Sequence, residues 1–270
     1  MSASTAPPAV DAPAPAEARR PPGRAALAVL AALVVGFAGI DVLGDVTATR
    51  AESTRVFEQP VSAVRAVGTT GDVVVVASPG ARGVELRTLV HEGWSSVRSS
   101  AEVVDGVLRL NGTCESGGWL SPCEVTWELT VPEGLDLDLR TGTGDQEVTG
   151  AFGTVVARAG TGDVRWDTAS GASLEAETGT GDLDVRGRVA QVRARAGTGD
   201  VEVRLDAAPD AVDVTTGTGD AAVQVPAGSA YAVGVTAGFG EEVVEVPVDA
   251  ASAHRIAVRT STGDASVLPR

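Results

Sequence analysis

Residues 155–186 read VVARAGTGDVRWDTASGASLEAETGTGDLDVR, and this stretch contains two copies of one short pattern. In each copy a Gly-Thr-Gly-Asp tetrapeptide stands between segments in which apolar and polar residues alternate. Alternation with a period of two is typical of a β-strand with one buried and one solvated face. Because glycine permits the positive φ angles of tight turns, each copy predicts a strand, a turn and a second strand.

The tetrapeptide recurs along the second half of the chain at a nearly constant distance. Successive aspartates of the complete copies are 18, 19, 18 and 20 residues apart. The complete copies are Gly142–Asp145, Gly160–Asp163, Gly179–Asp182, Gly197–Asp200 and Gly217–Asp220, with a degenerate copy at Gly238–Glu241 and shorter forms at Thr70–Asp72 and Thr262–Asp264. A fixed period of this length indicates one structural unit that is repeated.

The repeated unit predicts an all-β solenoid, similar to a β-helix, with rungs of about 19 residues. Two short strands cannot bury their apolar face alone, so we expect each strand to pair with its equivalent one rung further along, in about seven rungs. An antiparallel sandwich is the alternative, because each turn is also able to close a hairpin. Residues 51–130 are less regular and are predicted to form the first portion of the solenoid, with a longer loop that carries His91, Trp94 and both cysteines.

The N-terminal region predicts a membrane anchor. Residues 1–24 are rich in Pro, Ala and Ser and end in several arginines, which predicts a disordered cytoplasmic tail. Residues 25–40 contain no charge, and extension to residue 44 gives about 20 residues, enough for one transmembrane signal-anchor helix. The remaining chain is then a linker at 45–54 and an extracytoplasmic β-solenoid at 55–270. Cleavage of a signal peptide after Val46-Thr47-Ala48 is one alternative, and a buried helix of a soluble protein is the other.

Charge and cysteine content restrict the class of protein. The formal net charge is −15, and without a basic face the chain is not expected to bind nucleic acid. The only two cysteines, Cys114 and Cys123, cannot form a zinc site by themselves. We expect them to form a disulfide if the chain is exported to an oxidising compartment.

The repeats also resemble a known family. Units of the form T-G-T-G-D-x-x-V follow Val131-Pro132-Glu133-Gly134, which leads into Leu135–Leu139, and a T-G-D-V-V-V strand lies upstream. In these features, over about residues 55–268, the chain resembles the bacterial "putative adhesin" family of β-strand-repeat domains of unknown function, which is related to autotransporter-adhesin heads. The resemblance implies a β-solenoid in an extracytoplasmic setting and assigns no catalytic or binding residues. Phe239 and Glu241 depart from the repeat and indicate a capping or bent rung.

The aspartates of the repeat are the best candidates for chemistry. Stacked on adjacent rungs, Asp145, Asp163, Asp182, Asp200 and Asp220 form either a calcium ladder or a set of caps, in which each carboxylate accepts hydrogen bonds from its own turn. We favour the caps and expect no cofactor. Thr143, Thr161, Thr180, Thr198 and Thr218 are expected to form a parallel row that is able to face a flat polymer. His91 and His254 have no evident acid–base partner, and Asn111-Gly112-Thr113 reads first as a turn and second as a glycosylation acceptor.

These observations predict a membrane-anchored, non-catalytic cell-surface protein that adheres or binds. Expected partners are the lipid bilayer through residues 25–44, and a cell-wall or surface polymer or another membrane protein. The alternative function is an accessory or sensory component of an envelope-stress system that acts through a membrane partner. A carbohydrate-active β-helix enzyme is less favoured, because the aspartates are the regular part of the repeat rather than a local interruption of it.

Overall fold

Alternating Val, Leu and Ala residues fold into strands along the whole part of the chain that the structure describes. This computed structural model describes residues 49–93, 96–115 and 123–270, which form nineteen β-strands and no helix. The prediction of an all-β fold is confirmed. No helix in these ranges has the length and hydrophobicity to cross a bilayer. The predicted tail at 1–24 and anchor at 25–44 lie outside the described residues.

The strands follow one another with short connections. The first nine are β1 Thr49–Phe57, β2 Ala63–Thr70, β3 Val73–Ala77, β4 Val84–Glu92, β5 Ser96–Val104, β6 Val107–Glu115, β7 Cys123–Val131, β8 Asp136–Thr143 and β9 Gln146–Thr149. The other ten are β10 Phe152–Thr161, β11 Val164–Thr180, β12 Leu183–Thr198, β13 Val201–Leu205, β14 Ala211–Thr218, β15 Ala221–Val225, β16 Ala232–Phe239, β17 Glu242–Val244, β18 Arg255–Thr262 and β19 Ala265–Pro269.

Each rung consists of one strand, a Gly-Thr-Gly-Asp corner and a second strand, and the rungs stack in parallel. Thr143 pairs with Thr161, which pairs in turn with Thr180. The described residues form nine rungs in the spatial order β6/β7, β2/β3, β8/β9, β10/β11, β11/β12, β12/β13, β14/β15, β18/β19 and β16/β17. This parallel stacking is solenoid-like and excludes the antiparallel sandwich.

The order of the rungs departs from chain order at both ends of the stack. The first rung of the chain, β2/β3, lies between β6/β7 and β8/β9, and the last, β18/β19, lies between β14/β15 and β16/β17. Phe239 and Glu241, which depart from the repeat, therefore belong to a terminal rung. This is the position that a capping rung occupies. The β6/β7 rung lacks the tetrapeptide, so the eight copies account for eight of the nine rungs, and the expected number of about seven was too low.

Antiparallel strands extend the stack at the β6/β7 end, which the sequence did not predict. β4 pairs with β7, β1 pairs with β4, and β5 pairs with β6, all antiparallel. Residues 49–54, which were expected in a linker, form the first part of β1. His91, which was expected in a loop, lies in β4.

The core lies between the strands that precede the corners and the strands that follow them, and it consists of columns of mostly small apolar side chains, one from each rung. One column contains Val75, Val148, Trp166, Val185, Val203, Val223 and Val267, all buried. Burial of one such side chain stabilises the fold by roughly 1.5–3 kcal/mol. Trp166 fits the column because Gly171 beside it has no side chain; a Cβ there would lie 2.9 Å from the indole.

Candidate functional site

The two glycines of each corner have different structural roles. The second glycine has a positive φ, for example 138° at Gly162, and an added Cβ would lie 2.2 Å from the carbonyl oxygen of Gly144 in the neighbouring rung. The first glycine, Gly160, does not have a positive φ, but its Cβ would lie 2.5 Å from Gly142 O. The expected turn conformation is therefore correct only for the second glycine, and the first is required by the close approach of rungs.

The aspartates form a continuous column that joins one rung to the next. Asp145 Oδ1 accepts a hydrogen bond from the backbone N–H of Asp163 at 2.8 Å, and Asp163 Oδ1 accepts one from Asp182 at 2.9 Å. The column runs through Asp72, Asp145, Asp163, Asp182, Asp200, Asp220 and Asp264 and ends at Glu241. The aspartates are thus backbone caps, but each caps the neighbouring rung rather than its own turn, which corrects the expected partner.

The calcium ladder remains a prediction. Neighbouring carboxylates are separated by about 4.8 Å along the stack, and one oxygen of each is already used by a backbone amide. Asp163 also forms an ion pair with Arg165 at 2.6 Å. Within the described residues, no group of three or more His, Cys, Asp or Glu side chains is arranged to hold a metal ion.

A second column, of buried threonines, was missed by the sequence analysis. The hydroxyls of Thr178 and Thr216 each donate to the carbonyl of the second glycine in the preceding rung, Gly162 and Gly199, both at 2.9 Å. Because both threonines are buried, these bonds give their hydroxyls a partner in place of water. The signal was present, because the residue before each complete tetrapeptide is alternately Thr or Ala.

The threonines at the centre of the tetrapeptides form the outermost column. The strand register aligns Thr70, Thr143, Thr161, Thr180, Thr198, Thr218 and Thr262, and all but the first are exposed. The column ends at Phe239, which is 80% exposed. One edge of the stack therefore presents a continuous row of hydroxyls beside a continuous row of carboxylates, and we call these two rows the corner edge.

Charged side chains bridge the antiparallel strands at the other end of the stack. Arg87 of β4 contacts Glu52 of β1 at 2.7 Å and Glu128 of β7 at 2.8 Å. The hydrogen bond and the charge of Arg87 lower the pKa of the Glu52 carboxyl, and both glutamates raise the pKa of Arg87. A groove of about 450 Å³ beside them is lined in part by Arg50, Glu52, His91, Glu124 and Glu128.

The remaining residues singled out from the sequence lie apart from the corner edge. A disulfide joins Cys114, at the end of β6, to Cys123, at the start of β7, where other rungs have the tetrapeptide corner. His254 Nδ1 lies 2.8 Å from Pro209 O and does not approach His91's strand. Asn111 is exposed within β6, so Asn111-Gly112 does not form the expected turn.

In the connection between β15 and β16, Tyr231 is buried and its hydroxyl donates a hydrogen bond to Pro226 O at 2.8 Å. Burial raises the pKa of the Tyr231 phenol, and a hydrogen bond with Ser229 opposes this shift. The ring centroid of Tyr231 lies 6.0 Å from that of His254. These contacts lie at the end of the connection between β15 and β16, the two strands that flank the inserted β18/β19 rung.

Comparison with known proteins gives a family match and several structural neighbours. A family model described as Toastrack DUF4097 matches residues 128–268, and no curated protein matches the chain. A "putative cell adhesion protein" of Clostridium sporogenes is 13% identical, with 82% of this chain and 100% of that chain covered and a TM-score of 0.40. A "putative adhesin" of Bacteroides fragilis is 12% identical (82% and 97% covered, TM-score 0.45), and a "putative lipid binding protein" of Parabacteroides distasonis is 10% identical (80% and 96%, TM-score 0.34).

Proposed function

Because the chain belongs to the Toastrack DUF4097 family, as the resemblance of its repeats implied, we propose that it is a non-catalytic binding module of the bacterial cell surface. The observation that supports this function is the corner edge, where an exposed threonine and a capping aspartate repeat at each of the five complete tetrapeptides. Small-molecule sites are concave and mostly apolar. A regularly repeating polar row suits an extended polymer that offers many hydrogen-bonding groups, such as a cell-wall or surface polymer.

The proposed location is the outer face of the cell membrane, with the chain anchored through residues 25–44 and its N-terminus in the cytoplasm. The apolar stretch and its preceding arginines support this orientation. The disulfide between Cys114 and Cys123 supports export, because disulfides persist in oxidising compartments. The acidic remainder of the chain would be repelled by anionic headgroups and stay in solution.

Binding of the purified full-length chain to intact cells and isolated cell wall tests this function. The variant Thr161→Lys/Thr180→Lys adds two long cations to the corner edge, and we expect it to weaken binding about tenfold or more. The matched control, Thr130→Lys/Thr149→Lys, makes the same change at two exposed threonines on an outward sheet face. Equal binding by both variants would exclude the corner edge, and no saturable binding of the natural chain would exclude adhesion.

A second candidate function is that of an accessory or sensory component that acts through a partner in the same membrane. It is favoured by the start of β1 at Thr49, five residues after the proposed anchor, and by the charged groove beside it. Such a short connection keeps this groove near the membrane. Cross-linking in cells, followed by extraction in detergent, should then recover one membrane protein, and Glu124→Lys should abolish its recovery while Glu147→Lys, on an outward sheet face, should not.

A further inference from the structure

The terminal rung β16/β17 is exposed on its outer side. Among the described residues β16 pairs only with β18, and β17 only with β19. Phe239, Val244 and Val248, which are 80%, 42% and 60% exposed, all belong to this end of the stack. A strand with a free edge and exposed apolar side chains is a template for pairing with another chain.

One residue of this rung occupies a position that is apolar in almost every other rung. Glu242 aligns with the buried column Ala265, Ala221, Val201, Leu183, Val164 and Val73, in which the only other polar member is Gln146. A carboxylate buried between two rungs would destabilise the fold, because it would lose its contact with water. A glutamate fits this position only in a rung with no further rung beyond it. Glu242 therefore marks the end of the stack.

The side chain of Glu242 also occupies the edge of β16. Its Oε1 accepts a hydrogen bond from the backbone N–H of Ala237 at 2.9 Å. The backbone N–H of Ala232 points towards β18 and donates to His254 O. Successive N–H groups of a strand point to opposite sides, and Ala237 is five residues further on, so its N–H points to the free edge. The backbone donor that an added strand would use is therefore already bonded to a side chain.

We propose that Glu242 is a plug that prevents this terminal rung from pairing with the terminal rung of a second copy of the chain. A second copy is the expected occupant because the exposed strand can pair antiparallel with itself about a two-fold axis, which brings the same apolar residues together. The rim of the rung is acidic, with Glu241, Glu242, Glu245 and Asp249, so two identical ends repel one another. Glu242 both contributes to this repulsion and covers the edge amide.

The opposite end of the stack restricts what the unplugged chain can form. There the antiparallel strands β1, β4 and β5 continue beyond the β6/β7 rung, whose two strands are joined by the Cys114–Cys123 disulfide. The two ends are therefore different, and among the described residues only the β16/β17 end offers a parallel-stacked rung with a free edge. Unplugging should produce closed dimers rather than filaments.

Sedimentation velocity of the full-length chain in density-matched detergent tests the proposal. We expect the natural chain to be monomeric and Glu242→Val to dimerise, with an association constant raised about tenfold or more. Glu245→Val is the matched control, because it removes a charge from the same rim without uncovering the Ala237 amide, and it should remain monomeric.

The outcomes are distinguishable from a failure to fold. Circular dichroism and the thermal transition identify a folded variant, and Glu242→Ala, with a smaller side chain, repeats the test if the valine variant is unfolded. A folded Glu242 variant that stays monomeric would overturn the proposal. So would equal dimerisation of Glu245→Val, since the total rim charge rather than the plug would then control association.

Discussion

At the corner of each rung, every residue of the tetrapeptide meets a separate physical requirement. The first glycine lets two backbones approach, the second adopts a positive φ, and the aspartate bonds to the backbone amide of the neighbouring rung. The central threonine of each complete tetrapeptide has no such structural requirement, and it is exposed to solvent. Both glycines lie too close to the neighbouring backbone for a Cβ, and the aspartate bonds to it, so a substitution at any of these three positions should affect two rungs.

Gly162→Ala tests the requirement for the second glycine. An alanine Cβ would lie 2.2 Å from Gly144 O at a φ of 138°, so the strain and the clash should destabilise the fold by about 3 kcal/mol or more. Gly228→Ala is the control, because a Cβ there meets nothing within 4 Å, and its effect should stay within about 0.5 kcal/mol. Urea unfolding measures both, and equal stabilities would contradict the role assigned to the corner.

Substitutions of Asp182 separate a cap from a calcium ligand. Asp182→Ala removes the acceptor for the Asp200 N–H and should cost about 1 kcal/mol. Asp182→Asn keeps an acceptor oxygen and removes one of many stacked negative charges, so its stability should equal or exceed that of the natural chain. Thermal unfolding with added Ca²⁺ and with chelator is the measurement. A Ca²⁺-dependent rise in Tm that Asp182→Asn loses would instead support the calcium ladder.

At the scale of the strand, the two ends of the stack are finished in different ways. The β16/β17 end carries Glu242 at a core position, whereas the β6/β7 end continues into antiparallel strands joined by Arg87. Neither device repeats along the sequence, because each occurs where the repeat stops. The outer strand β1 is attached to β4 by its backbone ladder and by the Glu52–Arg87 ion pair.

The Glu52–Arg87 ion pair should make the attachment of β1 sensitive to pH. Arg87 lowers the pKa of Glu52 in the folded chain, so this contribution is present above the unfolded-state pKa and is lost as pH falls through the folded-state pKa. We expect Glu52→Gln to lower Tm at neutral pH and to have no effect in acid. Because the pair is exposed, the change should be small.

Glu58→Gln is the control for this pH dependence. Glu58 is exposed and, among the described residues, has no ion-pair partner, so its substitution should leave Tm nearly unchanged at both pH values. A Tm difference for Glu52→Gln that persists in acid would show that the ion pair is not its cause.

At the scale of the molecule, stability should vary along the stack. Each interior rung has two neighbours, whereas β16/β17 has one, and in a stacked repeat stability depends on interfaces between neighbours. Amide hydrogen exchange should therefore be slowest in the middle rungs, β11 and β12, and about tenfold or more faster in β16 and β17. Uniform protection along the stack would indicate that the described chain opens only as one cooperative unit.

The sequence by itself determined the repeating part of this protein. The period-two alternation and the evenly spaced tetrapeptides predicted the strands, the corners, the parallel stacking and the family. The degenerate copy at Phe239 and Glu241 predicted a capping or bent rung, and the structure places it in a terminal rung. These features could be predicted because each unit meets nearly the same neighbours, so local pattern and tertiary environment coincide. The cap role of the aspartates followed from the same regularity.

Only the tertiary structure decided what happens between rungs and at the ends. The partner of each Asp, the buried bond of Thr178 and the edge bond of Glu242 join residues that are brought together by stacking register. The insertion of β2/β3 and β18/β19 inside the stack could not be predicted, because nearly identical rungs fit one another in several orders. Which order forms depends on the few non-repeating contacts, such as Tyr231 with Pro226 O, and these exist only once the chain has folded.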